Sequence, residues 1–378
     1  MKYIFLSVNE DLNCGLLKSQ FIDPIKNNFK YDFEIISINK PFYSQRVQNV
    51  KRMNLLIPQK LIAYNFLCYL YTMWAILCAI LVRINFIKSK RSTLVARGYL
   101  SGLISYYAKK YFGINYIFDP RSLYPLECIT ANRMMKNSIC YKYWIKIERK
   151  IVNSAERIVC VSSGMSNYYT QTYGIDNVIT VPCYRTDKTC GFDKTKDRAF
   201  LKTKLGLDHD KKVILYYGSL NNGWNNLDLY TYFISEKFSD DIQFLIITQD
   251  KNTVSKSKLG SFHNVFIYSL DTLPTRVSID DAFHCSDYGM IFMSESHDWF
   301  TRLSVKFAEY TYFGLPVITN QWVGEAVKLI EDYKIYPSRI ITEQKIELIS
   351  PTQEDKNNIC QWAREYFSPN NINKYVGR

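Results

Sequence analysis

The most constraining feature of this 378-residue sequence is residues 302–320, which predict a loop, a helix, a tight turn and a short strand in succession. The hydroxyl of Ser304 can cap the helix by accepting a hydrogen bond from a backbone N–H of the first turn. Gly314 can adopt the left-handed conformation that ends a helix, and Pro316 cannot continue one. Residues 317–318 then form a short buried strand. We expect the rest of the chain to be organised around this stretch.

The start of this helix also suits an anion. The first N–H groups of a helix are unpaired and lie at the positive end of its dipole, which favours a phosphate. Arg302 and Lys306 add positive charge there. Glu309 follows one to two turns later, where its carboxylate could accept hydrogen bonds from sugar hydroxyls. The pattern is typical of a nucleotide-sugar site, although an ordinary capped helix with solvated charges would have the same sequence.

Residues 304–318, SVKFAEYTYFGLPVI, resemble the SPxKxxEYLAxGLPVI signature of GT-B glycosyltransferases, specifically of the large retaining family four. With Lys306 aligned, Ser304 falls where the signature has its Pro. In that family the residue equivalent to Glu309 binds the donor ribose, and the amides before it hold the diphosphate. Many members have a second Glu that would fall here at Thr301, but a subset lacks it, as this chain does.

The resemblance implies an α/β protein with the GT-B fold, which has two Rossmann-like domains and an interdomain cleft. The chain is long enough for two such domains. We expect an acceptor-binding domain at 1–183 and a nucleotide-sugar donor-binding domain at 184–358, separated by a polar linker that begins at 184. We expect a final helix within 359–378 to pack back on the first domain.

In the first half, a predicted strand at 114–118 ends at Asp119-Pro-Arg121, with Glu127 shortly after. Ligands of parallel α/β sheets bind outside the carboxyl ends of strands. The resembling family has an Asp-x-Arg-Gly…Glu motif at this point, which implies that these three residues are catalytic and that Asp119 contacts the acceptor hydroxyl. A structural Asp that caps a helix and pairs with an Arg would give the same sequence pattern. Gly15 lies in a loop that faces the cleft in that family, or is simply a turn residue.

In the second half, a strand at 213–217 leads into Gly218 and Ser219, whose loop amides could approach a diphosphate. Family members often have Gly-Arg…Lys-Gly here, whereas this loop resembles a GSLxxW variant. Because this loop lacks the basic pair, we expect Arg302 and Lys306 to supply the positive charge that binds the diphosphate. The residues expected to bind the donor are Gly218, Ser219, Arg302, Ser304, Lys306 and Glu309.

Residues 61–82 carry no charge and exceed the roughly 18 apolar residues that a membrane span needs. Three interpretations are open: a transmembrane span, a helix buried in the first domain, and a helix docked on the domain with one face in the membrane interface. Basic residues flank the segment on both sides: Arg46, Lys51, Arg52, Lys60, Arg83, Lys88, Lys90 and Arg91.

The net charge of +13 indicates an anionic partner without identifying it. The ten cysteines occur singly and lack metal-site spacing, which predicts buried thiols in a reducing compartment. Asp208-His-Asp210 precedes a strand and reads as a turn. No signal peptide is visible, so the cytoplasm is the expected location. We expect no metal, no cofactor apart from the donor, and no nucleic-acid partner.

Together these patterns predict a retaining glycosyltransferase that moves a sugar from a nucleotide diphosphate to a hydroxyl of a glycan or lipid-linked acceptor. Family inference suggests bacterial surface polysaccharide biosynthesis, such as capsule or O-antigen, at the inner face of the cell membrane. One alternative is a nucleotide-sugar epimerase. Another is a catalytically silent binding protein or membrane scaffold with the same fold.

Overall fold

The computed structural model describes residues 1–12, 14–39, 50–55, 57, 68–87, 91–185, 197–220, 226–341 and 345–377. The chain divides into two compact units. The first comprises Met1–Pro182 and Pro369–Arg378, and the second comprises Cys183–Ser368.

In its described residues, the first unit has a seven-stranded parallel sheet in the order β3-β2-β1-β4-β5-β6-β7. The chain reverses direction across the sheet between β1 and β4, which is where doubly wound folds bind ligands. The central strands are buried along nearly their whole length, as expected for parallel strands covered on both faces. The strands are β1 Lys2–Val8, β2 Phe33–Asn39, β3 Val50–Asn54, β4 Ser92–Arg97, β5 Tyr116–Asp119, β6 Arg157–Cys160 and β7 Val178–Thr180.

The helices of the first unit are α1 Gly15–Leu17, α2 Asp23–Asn28, α3 Leu70–Phe86, α4 Gly98–Phe112, α5 Tyr124–Thr130, α6 Ile139–Ser154 and α7 Ser163–Tyr173. A π-helix at Lys18–Ile22 separates α1 from α2. Pro24 has no N–H to donate to the carbonyl four residues earlier, which favours the wider turn before it.

The second unit has a six-stranded parallel sheet in its described residues, in the order β10-β9-β8-β11-β12-β13. Its chain reversal lies between β8 and β11. Alternate residues of β8 enter the two cores on opposite faces, with Leu215 in one and Tyr216 in the other. The strands are β8 Lys212–Tyr217, β9 Ile242–Ile247, β10 Val265–Tyr268, β11 Tyr288–Ile291, β12 Val317–Asn320 and β13 Arg339–Ile341.

The helices of the second unit are α8 Arg198–Lys204, α9 Leu227–Lys237, α10 Lys251–Ser255, α11 Ile279–Cys285, α12 Val305–Tyr312, α13 Gly324–Asp332 and α14 Gln353–Tyr366. The expectation of a final helix at 359–378 on the first domain needs correction. The last α-helix, α14, belongs to the second unit and ends before Pro369, which disfavours helix in the residue preceding it. Only the short 3₁₀ helix Pro369–Tyr375 belongs to the first unit.

The two parallel sheets confirm the predicted α/β class with two Rossmann-like domains. Strands β3 and β13 lie at the edges of the two sheets, and both have mixed polarity and lack an apolar run. Residues 61–67 of the predicted apolar segment lie outside the described residues, and 70–82 lie within α3. In the described part of the chain, no helix is both long enough and apolar enough to span a bilayer. The Asp208 turn is confirmed, because its carboxylate accepts from the N–H of Asp210 at 2.9 Å.

Candidate functional site

The predicted helix, turn and strand are present in the second unit. Ser304 caps α12, and its hydroxyl accepts from the N–H of Lys306 at 3.3 Å. Phe307 and Ala308 bury the inner face of the helix. Gly314 has φ +72°, and a Cβ there would lie 2.5 Å from the carbonyl oxygen of Lys356. This position therefore needs glycine for both its conformation and its packing.

Lys306 packs directly against Gly218 at the carboxyl end of β8. Gly218 has φ +134°, and a Cβ added there would lie 2.5 Å from Cε of Lys306 and 3.1 Å from Nζ. The ammonium also lies 5.4 Å from the ring centroid of Tyr216. Among the described residues no hydrogen bond or ion pair holds Nζ. Burial lowers the pKa of Lys306, and the charge of Glu309 opposes that shift. This ammonium is desolvated and available to an anion.

Glu309 lies on the same helix and pairs with a cation that the sequence did not reveal. Its carboxylate is 3.5 Å from Nη1 of Arg185. The guanidinium of Arg185 in turn lies 5.6 Å from the ring centroids of both Tyr312 and Phe313. Because Arg185 stacks on these rings, the carboxylate of Glu309 is held in one place.

The loop after β8 is fixed on two sides. The hydroxyl of Tyr310 accepts from the N–H of Tyr217 at 3.0 Å. Asp250 Oδ2 accepts from the Ser219 hydroxyl at 2.6 Å and from the N–H of Leu220 at 3.0 Å. The hydroxyl of Ser219 thus ties the loop after β8 to the loop after β9. Tyr310 belongs to the signature, but neither its role here nor that of Asp250 was predicted.

Arg302 takes a different position from the one expected. Its Nη1 donates to the carbonyl of Ser294 at 2.9 Å, and its Nη2 lies 3.5 Å from Asp298. The side chain is only 8% exposed. The guanidinium therefore organises the loop before α12, because that loop supplies its own carbonyl and carboxylate acceptors. We correct the expectation that Arg302 adds charge at the phosphate site.

In the first unit, Asp119 ends β5 as predicted but is only 2% exposed. The hydroxyl of Tyr375 donates to Asp119 Oδ2 at 2.9 Å. Nη1 of Arg97 lies 3.8 Å from the same oxygen, and Nη1 of Arg121 lies 3.6 Å from Oδ1. Asp119 is therefore an internal ion-pair centre, and its engagement by these partners corrects the expectation that it meets an acceptor directly.

Glu127 and Gly15 lie at the starts of two short helices, where the hydrogen bonds are local. Glu127 is in the first turn of α5, and its carboxylate accepts from the hydroxyl of Ser122 at 2.5 Å. Gly15 begins α1, where Cys14 Sγ accepts from the N–H of Leu17. A Cβ on Gly15 would meet no atom within 4 Å. No crowding by the protein explains a glycine at this position.

A cavity of about 450 Å³ opens at the switch point between β1 and β4. Glu10, 28% exposed, is its acidic group, and Nε of Arg97 donates to both oxygens of that carboxylate at 3.1 Å. The hydroxyl of Ser7 also donates to Glu10, at 2.5 Å. The lining includes Asn9, Glu10, Arg97, Gly98, Arg133, Tyr71, Tyr99, Tyr124 and Trp144. Aromatic walls with a few fixed polar groups are typical of small-ligand sites of this volume.

A buried acid lies behind the aromatic wall. Glu148 accepts from the hydroxyls of Tyr99, Tyr168 and Tyr173. Burial raises the pKa of Glu148, and the three tyrosine hydroxyls oppose the shift. Because Tyr99 lines the cavity, this network fixes one of its walls. The sequence signal for Glu10 and Arg97 is their position at the carboxyl ends of apolar strands.

No protein-family model matches this sequence, and no curated protein does. Solved structures match the whole chain. HepE from Anabaena, in complex with UDP, is 14% identical with a TM-score of 0.66, covering 100% of this chain and 98% of HepE. The lipopolysaccharide outer core galactosyltransferase WaaB is 13% identical with a TM-score of 0.62, and the match covers 100% of this chain and 99% of WaaB. WaaG, a glycosyltransferase involved in lipopolysaccharide biosynthesis, is 12% identical with a TM-score of 0.57, and the match covers 100% of this chain and 95% of WaaG. This chain therefore has the GT-B fold, with two Rossmann-like domains.

Proposed function

We propose that the protein is a retaining glycosyltransferase that transfers a sugar from a nucleotide diphosphate sugar to a hydroxyl group. The observation that carries the proposal is the packing of Lys306 against Gly218. It places a desolvated ammonium beside a stretch of backbone that has no side chain. The site lies at the carboxyl end of β8, the first strand of a doubly wound sheet, where such sheets bind nucleotides.

Lys306 and the first N–H groups of α12 would hold the donor diphosphate. As the bond to the sugar breaks, negative charge grows on the leaving diphosphate. An ammonium that is already desolvated and positioned stabilises that charge more strongly than water does. Glu309, fixed by Arg185, would accept hydrogen bonds from the ribose hydroxyls. This chemistry requires no metal, because the ammonium and the amides supply the positive charge.

We place the acceptor in the cavity of the first unit. The ring of Tyr124, which is partly exposed, can pack on the C–H groups of a sugar, and Glu10 can accept from its hydroxyls. In this revised proposal Asp119 acts indirectly, by positioning the Arg97 that holds Glu10. The proposed acceptor is a glycan or a lipid-linked glycan.

The proposed setting is surface polysaccharide assembly, such as capsule or O-antigen, on the inner surface of the cell membrane. WaaG is involved in lipopolysaccharide biosynthesis, WaaB is a lipopolysaccharide outer core galactosyltransferase, and both share this fold. HepE was also solved with UDP-glucose. UDP-glucose is therefore the first donor to test.

The first experiment measures thermal shifts with a panel of nucleoside diphosphates and nucleotide sugars. A ligand that binds only the folded state stabilises it by about 2.7 kcal/mol at a hundred times its Kd. We expect one nucleotide to raise the Tm of the parent but not of Glu309→Ala or Lys306→Met. Glu331→Ala, an exposed substitution on α13, serves as the control and should respond like the parent.

Two outcomes oppose the proposal. If no nucleotide shifts the folded parent, a catalytically silent protein becomes the better interpretation. If a nucleotide shifts the parent and Glu309→Ala equally, the donor is not held by α12. When the base has been identified, release of the free nucleotide from its sugar conjugate measures turnover, which Glu309→Ala should lose while remaining folded.

A further inference from the structure

Helix α3 exposes an unbroken apolar stripe. Between residues 69 and 84, every residue with an exposed side chain is aliphatic, Met or Tyr. Met73 is 67% exposed and Ile84 is 71% exposed. The α3 stripe consists of Leu70, Met73, Leu77, Ile80 and Ile84. Steps of three and four residues place these side chains along one line of the helix surface. Contiguous exposed apolar surface of this kind marks a partner-binding face.

The sequence around the stripe is basic without exception. Between Glu34 and Asp119 there are twelve Lys and Arg residues and no Asp or Glu. Arg91 and Lys110 are exposed in the part of this segment that the structure describes. Because this segment contains no acidic residue of its own, it carries a net positive charge, although Lys51 and Arg97 pair with Glu34 and Glu10 outside it.

Helix α6 brings further positive charge beside the stripe. Tyr143 of α6 packs on Tyr69 with ring centroids 5.3 Å apart, and its hydroxyl lies 3.0 Å from that of Thr72. Lys142 and Lys146, one position before and three after Tyr143, are both exposed. Glu148 is the only acidic residue of α3, α4 and α6, and it is fully buried among tyrosine hydroxyls. The exposed charge of this helical layer is therefore entirely positive.

We propose that the α3 stripe docks on an anionic lipid bilayer, with the helix lying in the interface and the lysines of α6 above the headgroups. Apolar side chains on one line, flanked by basic residues, are the sequence chemistry of an interfacial helix. The spacing of the stripe would also fit a coiled-coil contact with a second copy. That contact would bring the same basic residues together with no exposed acidic residue in these helices to pair with them, so the charge favours the bilayer.

The opposite face of α3 gives this docking a consequence. Tyr71, on the buried face, lines the cavity in which we place the acceptor. One helix thus carries the lipid-facing stripe and a wall of the acceptor cavity. This deepens the proposed function and rests on its membrane setting: the acceptor is lipid-linked and enters the cavity while the enzyme is docked.

The test is cosedimentation of the full chain with vesicles of phosphatidylcholine alone, or of phosphatidylcholine mixed with phosphatidylglycerol. We expect binding to the anionic vesicles only, falling as salt rises. The double substitution Leu77→Glu with Ile84→Glu should weaken that binding at least about tenfold, because it places charge in the interface. Leu270→Glu, at an exposed leucine of the second unit, is the matched control and should bind normally.

A second variant, Lys142→Glu with Lys146→Glu, leaves the stripe intact and should abolish the preference for anionic vesicles. Binding that survives both double substitutions would overturn the proposal, as would no binding by the parent. A lipid-free dimer that the stripe substitutions make monomeric, measured by light scattering, would assign the stripe to a second copy instead. The nucleotide-induced thermal shift should persist in every variant, so failure of lipid docking is distinguished from failure of the donor site.

Discussion

Replacing Gly218 with alanine tests the donor site at its closest contact. The backbone there has φ +134°, and the new Cβ would lie 2.5 Å from Cε of Lys306. Lys306 must move away, since the methyl group is attached to a loop that Tyr310 and Asp250 hold in place. The substitution therefore displaces the ammonium without removing it from the protein.

The expected magnitudes separate stability from binding. A side chain at this backbone conformation costs roughly 1–3 kcal/mol of stability. Hydrogen bonds to a charged group are worth about 1.5–3 kcal/mol, and 1.4 kcal/mol is tenfold in affinity. Moving Lys306 out of reach of a diphosphate should therefore weaken nucleotide binding by roughly ten- to a hundredfold.

Gly206 provides the matched control in the same unit. It also has positive φ, +68°, but a Cβ there would meet only the ring of Phe266 at 3.7 Å. Gly206→Ala should lose about 1–2 kcal/mol of stability and no affinity. Urea unfolding and titration calorimetry with the nucleotide identified by the thermal-shift panel measure both quantities. Parent-like affinity in Gly218→Ala, or equal losses in the two variants, would refute the assignment of Lys306.

Three other substitutions test the network around the two sites. Tyr310→Phe should cost about 1–3 kcal/mol, because the N–H of Tyr217 loses its acceptor, and urea unfolding would contradict this by showing no change. The raised pKa of Glu148 means that its stabilising contribution is complete below its unfolded pKa and is lost as pH rises through the folded value. Glu148→Gln should therefore gain stability relative to the parent between acid and neutral pH, and parallel urea curves at all pH values would oppose this. Burial and the nearby charge of Arg198 lower the pKa of Lys356 to about 8. The parent should therefore gain about 3 kcal/mol relative to Lys356→Met as pH rises from 8 towards 10.5, and a constant difference would show that the amine is not desolvated.

The features of α12 that depend on neighbouring residues were predicted correctly from the sequence. The cap at Ser304, the turn at Gly314 and the strand after it depend on residues within a few positions of one another, and all three are confirmed. The contacts that define the site are not local. Nothing in the sequence connects Glu309 to Arg185, because only the fold brings them together.

The wrong predictions for Arg302 and Asp119 also arise from contacts that only the fold creates. Arg302 has the charge that a phosphate site needs, but a carbonyl and a carboxylate from its own loop take up that charge. Asp119 ends its strand as predicted, yet Tyr375, far along the chain, occupies its carboxylate. Glu10 follows β1 and Arg97 ends β4, and these strands are neighbours in the sheet but distant in sequence. Predicting their pairing required the strand order, which periodicity does not give.

The hydrogen bond between Tyr375 and Asp119 also determines when the first unit can be completed during synthesis. Domains fold as units while the chain emerges, beginning at the amino terminus. The second unit, Cys183–Ser368, is continuous in sequence, whereas the first unit also includes Pro369–Arg378. The first unit must wait for them, since Arg157 binds the carbonyls of Lys374 and Tyr375, at 3.0 and 3.1 Å. A chain that ends near residue 368 would therefore retain every residue of the second unit and leave Asp119 without its Tyr375 partner.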